Sequence, residues 1–310
     1  MVTVIFSTHN GERTLPRMLE AFCALEFPQG GWKIIAIDNA STDGTSEVLR
    51  NYQHRLPLVL LFQPKSGKNA SLNMALPHVE GDLVIFTDDD VLPDAGWLTT
   101  LLRTAECKPE YDVFAGAIIP EWPKVPPQWI LDNVPLGPAY VVTPPDRKEG
   151  PLRPSAVWGP NMMIREKIFT MGIRFDEAIG PGLAPNYPMG SETELTERLV
   201  AQGHQCWFAP DARVMHIIRE EQMRVWWLLK RAFRSGKGEA DRQLKAAACG
   251  QDKSIFGAPR WLFRRLAKNA WETIQAGVFL GRPGCINSLW QFCHVLGQIN
   301  HHQSTSRSLL

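Results

Sequence analysis

In the segment Leu83-Val84-Ile85-Phe86-Thr87-Asp88-Asp89-Asp90, four apolar residues and a threonine are followed by three consecutive aspartates. Such an apolar run is typical of a buried strand, and residues directly after it lie at the carboxyl edge of the sheet, where open α/β sheets bind ligands. Three adjacent carboxylates repel one another unless a cation lies among them. The stretch therefore predicts a site for Mg²⁺ or Mn²⁺ beside a diphosphate, with a solvated acidic turn as the alternative.

Strand-like and helical patterns alternate around this stretch over the first 120 residues. Short apolar runs favour strands, and apolar residues three or four apart favour the helices between them. The alternation is typical of βαβ units and predicts an α/β fold with a mostly parallel sheet flanked by helices. The predicted strands are Val2–Ser7, Lys33–Asp38, Leu58–Gln63 and Asp82–Thr87, and the predicted helices are Thr14–Leu25, Thr45–Tyr52 and Lys68–Pro77.

The composition changes after these units. Ten prolines fall between Pro120 and Pro154, together with Trp122, Trp129 and Tyr140, which predicts a long covering loop without regular structure. Regular patterns then return, and the chain is predicted to end in helices. The later predicted elements are a strand at Asn161–Ile164, a helix from near Ser191 to before Gly203, an extended segment from Phe208 to His216, and helices at Gln222–Phe233 and Pro259–Leu280.

Composition and charge limit the class of protein. The 310 residues are 44% hydrophobic and 21% charged with a net charge of +1, which is ordinary for a globular protein and does not indicate nucleic-acid binding. Residues 219–268 contain 13 Lys/Arg and 5 Asp/Glu, a local charge of +8 that suits a phosphorylated ligand or an anionic membrane face.

Cysteine spacing and hydropathy bear on location. The six cysteines have no C-x-x-C spacing, so they indicate neither a zinc site nor a disulfide framework. Met1 leads directly into a strand pattern, and no apolar run approaches the ~18–20 residues of a membrane-spanning helix. We therefore expect a cytoplasmic protein, or one that lies peripherally on the cytoplasmic face of a membrane.

Polar residues follow each of the first four predicted strands. Because parallel strands bring their carboxyl ends to one edge of a sheet, these residues are expected to lie in a single crevice. They are Thr8-His9-Asn10, Asp38-Asn39, Lys65 to Lys68, and the three aspartates.

At these positions the chain resembles glycosyltransferase family 2. The resemblance covers roughly residues 2–235 and implies the GT-A fold and the use of a nucleoside-diphosphate sugar. Seven motifs carry it in the family's order: F-S-T-H-N (6–10), I-D-N-A-S-T-D-G-T (37–45), G-K-N-A-S-L-N (67–73), F-T-D-D-D-V-L-P (86–93), W-G-P-N-M-M-I-R-E (158–166), G-S-E-T-E-L (190–195) and A-R-V-M-H (212–216).

The resemblance assigns the first two strand ends to the nucleoside of the donor. Asp38 is expected to accept a hydrogen bond from the nucleobase, with capping of the turn at Ser41–Gly44 as the alternative. Thr8 and Asn10 are expected to lie alongside the base or the ribose.

The resemblance also assigns the acidic cluster. Asp88 and Asp90 occupy the ends of the family's D-x-D motif, so Asp90 is expected to hold Mn²⁺ or Mg²⁺, and Asp88, with Asp89, to contact the ribose or sugar. His216 resembles a downstream histidine of the family that approaches the metal or diphosphate, whereas a single histidine is usually structural. A metal here would neutralise charge on the departing nucleoside diphosphate.

Lys68 is a candidate diphosphate ligand. It follows Gly67 at a predicted helix start, where its ammonium and the helix N-terminus can both face phosphate. The segment is no Walker A loop, because Phe62 stands where the first glycine is required and Asn69 replaces Ser/Thr. An exposed lysine without a ligand is the alternative.

Inverting sugar transfer needs a base that takes the proton of the acceptor hydroxyl, and Glu192 is the candidate. Similar enzymes carry Glu-Asp-x-Glu with the aspartate as base, whereas this chain has Ser191-Glu192-Thr193-Glu194. Glu192 falls in the aspartate position. Glu194 remains the other candidate, although a capping box with Ser191 would explain it.

The sequence thus predicts a metal-dependent inverting glycosyltransferase that uses a nucleoside-diphosphate sugar, with UDP the commonest donor nucleotide among similar enzymes. The expected acceptor is a glycan or a lipid-linked saccharide in surface or extracellular polysaccharide synthesis. A nucleotide-sugar-binding subunit with little activity is the alternative from another class. A nucleotidyltransferase is a third, but the residues after the first strand do not form its glycine-rich loop.

The predicted organisation is a catalytic domain over residues 1–235 and a helical extension over 236–310. Residues 1–120 form the nucleotide-sugar half of the domain, and residues 121–235 form the acceptor and base half. In the extension, the pattern of Trp261–Leu280 combines apolar residues with Arg260, Arg264, Arg265 and Lys268, as in helices that lie on an anionic membrane. Packing of this helix on the catalytic domain is the alternative.

Overall fold

The first four strands form a parallel sheet, as predicted. The computed structural model describes residues 1–182, 184–246, 254–279 and 284–308. The spatial order of these strands is β3-β2-β1-β4, and each crossover carries a helix. The strands are β1 (Val2–Thr8), β2 (Trp32–Asn39), β3 (Leu58–Gln63) and β4 (Leu83–Phe86), and the helices are α1 (Leu15–Cys23), α2 (Thr45–Tyr52) and α3 (Lys68–Ala75).

The sheet continues beyond β4 with strands of mixed direction. The order runs from β4 to β8 (Met162–Arg165), β6 (Val113–Glu121), β9 (Cys206–Ile217) and β5 (Val91–Pro93), with β7 (Gly150–Leu152) beside β9. Strand β6 is parallel to β9, whereas β8, β5 and β7 pair antiparallel to their neighbours. The helices between and beside these strands are α4 (Trp97–Cys107), α7 (Lys167–Thr170) and α8 (Ser191–Ala201).

Apolar side chains cover both faces of the central strands. Val4 and Phe6 point into one buried cluster, and Ile5 points into the other. Neighbouring strands repeat this arrangement, with Ile34 on the first face and Ile35 on the second. Burial on both faces explains why these strands have continuous apolar runs instead of alternating ones.

The chain divides into two compact units. The first, which contains the sheet, comprises Met1–Glu121, Val141–Ala178 and Ser191–Ile217. The second comprises Trp122–Tyr140, Ile179–Gly190 and Ile218–Leu310. The two units are defined by how residues pack together. The predicted domain boundary between residues 235 and 236 therefore stays a prediction.

The second unit is mainly helical. Helix α9 packs closely on α11, since a Cβ on Gly236 would lie 1.8 Å from the carbonyl oxygen of His294 and one on Gly297 would lie 2.0 Å from that of Phe233. Within the described ranges, no helix is long and apolar enough to cross a membrane. The elements are α5 (Gln128–Asn133), α6 (Leu136–Tyr140), α9 (Val225–Ala246), β10 (Ser254–Ile255), β11 (Ala258–Pro259), α10 (Arg260–Phe279) and α11 (Ile286–Ser308).

The prediction that the proline-rich segment lacks regular structure is wrong. The segment contains α5 and α6. Pro127 and Pro135 directly precede the two helices, and Pro138 lies in the first turn of α6, where a missing N–H is tolerated. Tyr140 is buried, and its ring stacks on that of Trp227 with the ring centroids 5.9 Å apart. Its hydroxyl donates a hydrogen bond of 3.1 Å to the carbonyl oxygen of Gln222. Burial of such aromatics stabilises short helices that would not form in isolation.

The amphipathic helix predicted to begin at Pro259 is α10, and its apolar residues divide between two faces. Leu262 is fully buried in a cluster with Val295 and Ile299 of α11. By contrast, Trp271 and Val278 are 60% and 73% exposed. The predicted helix end, Leu280, lies outside the described residues.

Candidate active site

Each of the three consecutive aspartates has a different partner. The ammonium of Lys68 donates to Asp88 at 2.6 Å, the hydroxyl of Thr8 donates to Asp89, and Nε2 of His216 lies 3.4 Å from Asp90. The cluster therefore has a cation and two further polar partners, and the predicted solvated acidic turn is not what forms.

Lys68 also reaches the candidate base. Its Nζ lies 3.1 Å from Oε1 of Glu192, and the side chains of Lys68, Asp88 and Glu192 are all mostly buried. The structure thus joins the start of α3, the segment after β4 and the start of α8 through one ammonium group. The alternative of an exposed, unengaged lysine is wrong.

Burial and charge act against each other in this group. Burial favours a neutral Lys68, but Asp88 and Glu192 outweigh it and raise the pKa of Lys68 above its ordinary value. Burial raises the pKa of Asp88, where Asp90 and Glu192 add to the effect and Lys68 opposes it. Burial also acts to raise the pKa of Glu192, but Lys68 and hydrogen bonds lower it overall. Glu192 is therefore ionised at neutral pH.

The surroundings of Glu192 distinguish it from Glu194. The hydroxyl of Ser191 donates to Oε2 of Glu192 at 3.0 Å. Glu194 instead accepts two hydrogen bonds of 3.0 Å from Arg198, one turn along α8. The two side chains predicted to form a capping box thus have other partners, and Glu192 is the one that lies beside Lys68 and Asp88.

Asp90 and His216 are brought together by strand pairing. Strands β5 and β9 pair antiparallel with Val91 opposite His216, and the amide of Ile217 donates to the carbonyl oxygen of Asp90 at 2.8 Å. In the described part of the chain, no three His, Cys, Asp or Glu side chains could hold a metal ion. A carboxylate with an imidazole fits a cation whose other ligands are diphosphate oxygens and water.

Asp38 caps the turn that follows β2. Its Oδ1 accepts from the amide of Ser41 at 3.0 Å, and its Oδ2 accepts from the hydroxyl of Ser46. Asn10, at a positive φ of 55°, accepts at Oδ1 from the amide of Thr42 at 2.8 Å. The capping alternative for Asp38 is therefore realised. Each carboxylate oxygen has two lone pairs, so the nucleobase contact stays a prediction.

A family model described as glycosyl transferase family 2 matches residues 3–170, which is more than half of the chain. The chain belongs to glycosyl transferase family 2. It is a glycosyltransferase, and the predicted family is confirmed.

Two relatives are similar to most of the chain. The succinoglycan biosynthesis protein ExoM of Rhizobium meliloti is 24% identical over 226 residues, which are 72% of this chain and 69% of ExoM. The glycosyltransferase AglE of Haloferax volcanii is 24% identical over 242 residues, which are 77% of this chain and 72% of AglE.

Solved glycosyltransferases share the fold. A mannosyltransferase from Pyrobaculum calidifontis, in complex with GDP-mannose and Mn²⁺, superposes with a TM-score of 0.64 at 18% identity, covering 96% of this chain and 86% of its own. TarS of Staphylococcus aureus, in complex with UDP-GlcNAc, has a TM-score of 0.56 at 15% identity, covering 99% and 91%. These similarities confirm the predicted GT-A-type fold with C-terminal helices and, at such identities, show the fold alone.

Two residues of the family 2 motif W-G-P-N shape the site, although the sequence assigned them no role. A Cβ on Gly159 would lie 2.5 Å from Oε1 of Glu192, so the missing side chain leaves room for that carboxylate. The buried amide of Asn161 donates to the carbonyl oxygens of Ala117 and Ala212 and accepts from Nε1 of Trp97 at 2.9 Å. The sequence shows the motif, but these contacts reach residues more than thirty positions away along the chain.

Substituting Gly159 tests the placement of Glu192. We expect Gly159→Ala to displace the carboxylate and lower glycosyl transfer by roughly 10²-fold, because misplacing a reacting group by about 1 Å costs that much. Nucleotide affinity should stay near wild type. Steady-state kinetics and calorimetry with UDP and GDP measure the two effects.

Gly96→Ala is the matched control, since a Cβ there would meet only ordinary contacts beginning at 3.7 Å. Equal activity of the two variants would show that Gly159 does not set the position of Glu192.

Proposed function

We propose that the protein is a metal-dependent, inverting glycosyltransferase that moves a sugar from a nucleoside-diphosphate sugar to a glycan or a lipid-linked saccharide. The observation that carries the proposal is the direct connection of Asp88, on the donor side, to Glu192, the candidate base, through Lys68. A displacement at the anomeric carbon needs donor and base groups this close together.

The donor is proposed to lie along the carboxyl ends of β1, β2 and β4. Thr8, Asn10 and Asp38 would face the nucleoside, and Asp88 and Asp89 the ribose or the transferred sugar. Lys68, at the first residue of α3, supplies an ammonium and a helix N-terminus for the diphosphate. The solved structures with this fold contain GDP-mannose and UDP-GlcNAc, which supports a nucleotide sugar as the donor. We propose UDP as the nucleotide of that donor.

Asp90 and His216 are proposed to hold Mn²⁺ or Mg²⁺. When bound, the metal supplies positive charge for the departing nucleoside diphosphate. The pairing of β5 with β9 fixes the two side chains in one place, so the protein contributes an ordered carboxylate and imidazole. The relative from Pyrobaculum calidifontis holds Mn²⁺, which supports this choice of metal.

Glu192 is proposed to take the proton of the acceptor hydroxyl as that oxygen attacks the anomeric carbon. Lys68 keeps the carboxylate ionised, and Ser191 fixes its second oxygen. The acceptor is proposed to belong to surface or extracellular polysaccharide synthesis, since ExoM acts in succinoglycan biosynthesis. Trp158 is partly buried against the core of the first unit, and its ring is proposed to stack on a sugar of the acceptor.

Helix α10 is proposed to lie on the cytoplasmic, anionic face of a membrane. Trp271, Ile274 and Val278 are 60%, 60% and 73% exposed, and they follow one another at spacings of three and four. The exposed Arg264 and Lys268 lie earlier on the same helix. Exposed tryptophan with basic residues is typical of interfacial helices.

Metal removal tests the assignment of Asp90. We expect EDTA to abolish turnover and added Mn²⁺ to restore it, and Asp90→Ala to lower turnover by roughly 10²-fold or more, because metal stabilisation of developing charge contributes several kcal/mol. Calorimetry should show that Mn²⁺ strengthens binding of UDP or GDP to wild type but not to Asp90→Ala. Asp146→Ala, which removes an exposed carboxylate, is the control. Full turnover in EDTA would refute the metal role.

A pair of neighbouring substitutions tests the base. We expect Glu192→Gln to lower transfer by about 10²–10⁴-fold while nucleotide affinity stays within a few-fold, because a general base contributes that much to the rate. Glu194→Gln is the matched control, and it should cost only about 0.5 kcal/mol of stability through loss of the pair with Arg198. The opposite ranking in a transfer assay would assign the base to Glu194.

Flotation with liposomes tests the membrane surface. We expect the protein to float with vesicles that contain phosphatidylserine, and Trp271→Gln/Ile274→Gln/Val278→Gln to stay at the bottom, because the exposed apolar residues supply the insertion energy. Arg264→Gln/Lys268→Gln should weaken binding by about 1 kcal/mol for each charge removed.

The matched control is Phe27→Gln/Val125→Gln/Met171→Gln, which removes three similarly exposed apolar residues elsewhere. Wild-type protein that remains at the bottom of the gradient would rule out the membrane role of α10.

A further inference from the structure

Lys68 lies between two carboxylates that come from distant parts of the chain. Its Nζ is 2.6 Å from Oδ1 of Asp88 and 3.1 Å from Oε1 of Glu192, so the two oxygens are at most 5.7 Å apart, the sum of these distances. All three side chains are three-quarters buried or more. Two mostly buried carboxylates at this separation repel each other strongly unless a cation lies between them.

The hydrogen bonds of Lys68 help to fix the orientation of the Glu192 carboxylate. An ammonium has three N–H donors, and Asp88 and Glu192 use two of them. Glu192 receives Lys68 on Oε1 and the hydroxyl of Ser191 on Oε2, so both of its oxygens have a donor at a defined position. Gly159 has no side chain, and this leaves room for the carboxylate, since a Cβ there would lie 2.5 Å from Oε1 of Glu192.

From this geometry we infer that Lys68 is a positioning residue for Glu192: it holds the base ionised and aimed, in addition to facing the diphosphate. The inference rests on the proposed function. Two roles of Lys68 can then be distinguished by experiment: binding the diphosphate and positioning Glu192. A lysine that serves the diphosphate alone contributes mainly to donor affinity, whereas one that acts through the base contributes to turnover.

The pH profile reports this role. Three residues lie against the carboxylate of Glu192. They are Lys68 at the start of α3, Asp88 in the segment after β4, and Ser191 on the same helix as Glu192. Burial acts to raise the pKa of Glu192, and the charge of Lys68 together with hydrogen bonds outweighs it. Removing the ammonium therefore raises the pKa of Glu192. Turnover, which needs the ionised base, should then begin to rise only at a higher pH.

The experiment compares Lys68→Met with Lys148→Met, which removes an exposed lysine of the same unit. We expect Lys68→Met to lower kcat by roughly 10²-fold, the lower part of the range for impairing a general base. The acidic limb of its kcat profile should move to higher pH. Its affinity for UDP and GDP with Mn²⁺, measured by calorimetry, should change less than its kcat. An unchanged acidic limb with weakened nucleotide affinity and normal kcat would overturn the inference.

A double variant and a charge-conserving variant complete the test. If Lys68 acts through Glu192, Lys68→Met should cost little further turnover in a Glu192→Gln background, whereas independent roles would give additive losses and overturn the inference. Should Lys68→Met fail to fold, Lys68→Arg decides, since it keeps the charge but not the single ammonium between two carboxylates. A lowered kcat with retained nucleotide affinity supports the inference, and a full kcat refutes it.

These outcomes are distinct from failure of the proposed function. Wild-type protein that transfers no sugar from any nucleotide sugar would reject the proposed function itself. The inference about Lys68 fails when an active wild type and its Lys68 variants share the same acidic limb and kcat, or when the losses in the double variant are additive.

Discussion

The ammonium of Lys68 between Asp88 and Glu192 is the interaction on which the site depends. It joins residues that are 20 and 124 positions away along the chain. Without it, two mostly buried carboxylates would face each other at close range, and one of them would take up a proton. The contact forms because parallel strands bring the segments after β3 and β4 to the same edge, and because Gly159 leaves space for Glu192 on the facing helix.

The aspartate cluster shows how a short stretch can link several elements. Strand β4 ends at Phe86 and β5 begins at Val91, so the three aspartates lie in a turn where side chains no longer alternate between two faces. Asp88 consequently meets Lys68 on α3, Asp89 meets Thr8 on β1, and Asp90 meets His216 on β9. The stretch that marks the site in the sequence thus also ties together the elements that build it.

The two units of the chain differ in their internal packing. In the first, both faces of the sheet are covered by branched and aromatic side chains, so burial of apolar area dominates its stability. In the second, α9 and α11 approach closely because Gly236 and Gly297 lack side chains. One face of α10 packs against α11 through Leu262, and the other presents Trp271 to solvent. That exposed face is the part of α10 on which the proposed membrane contact rests.

Sequence alone determined the parallel βαβ half, because strand and helix periods there are local and strong. It also identified the family. The rule that parallel strand ends meet at one edge grouped Lys68 with the aspartates, and the resemblance to the family added Glu192 and His216. The order of β5, β6, β8 and β9, the short helices among the prolines, and α11 needed the tertiary structure, because their apolar patterns depend on which neighbour covers them. The choice between Glu192 and Glu194 did as well. The two residues are near neighbours in sequence, and only packing places Glu192 against Lys68 and Glu194 against Arg198.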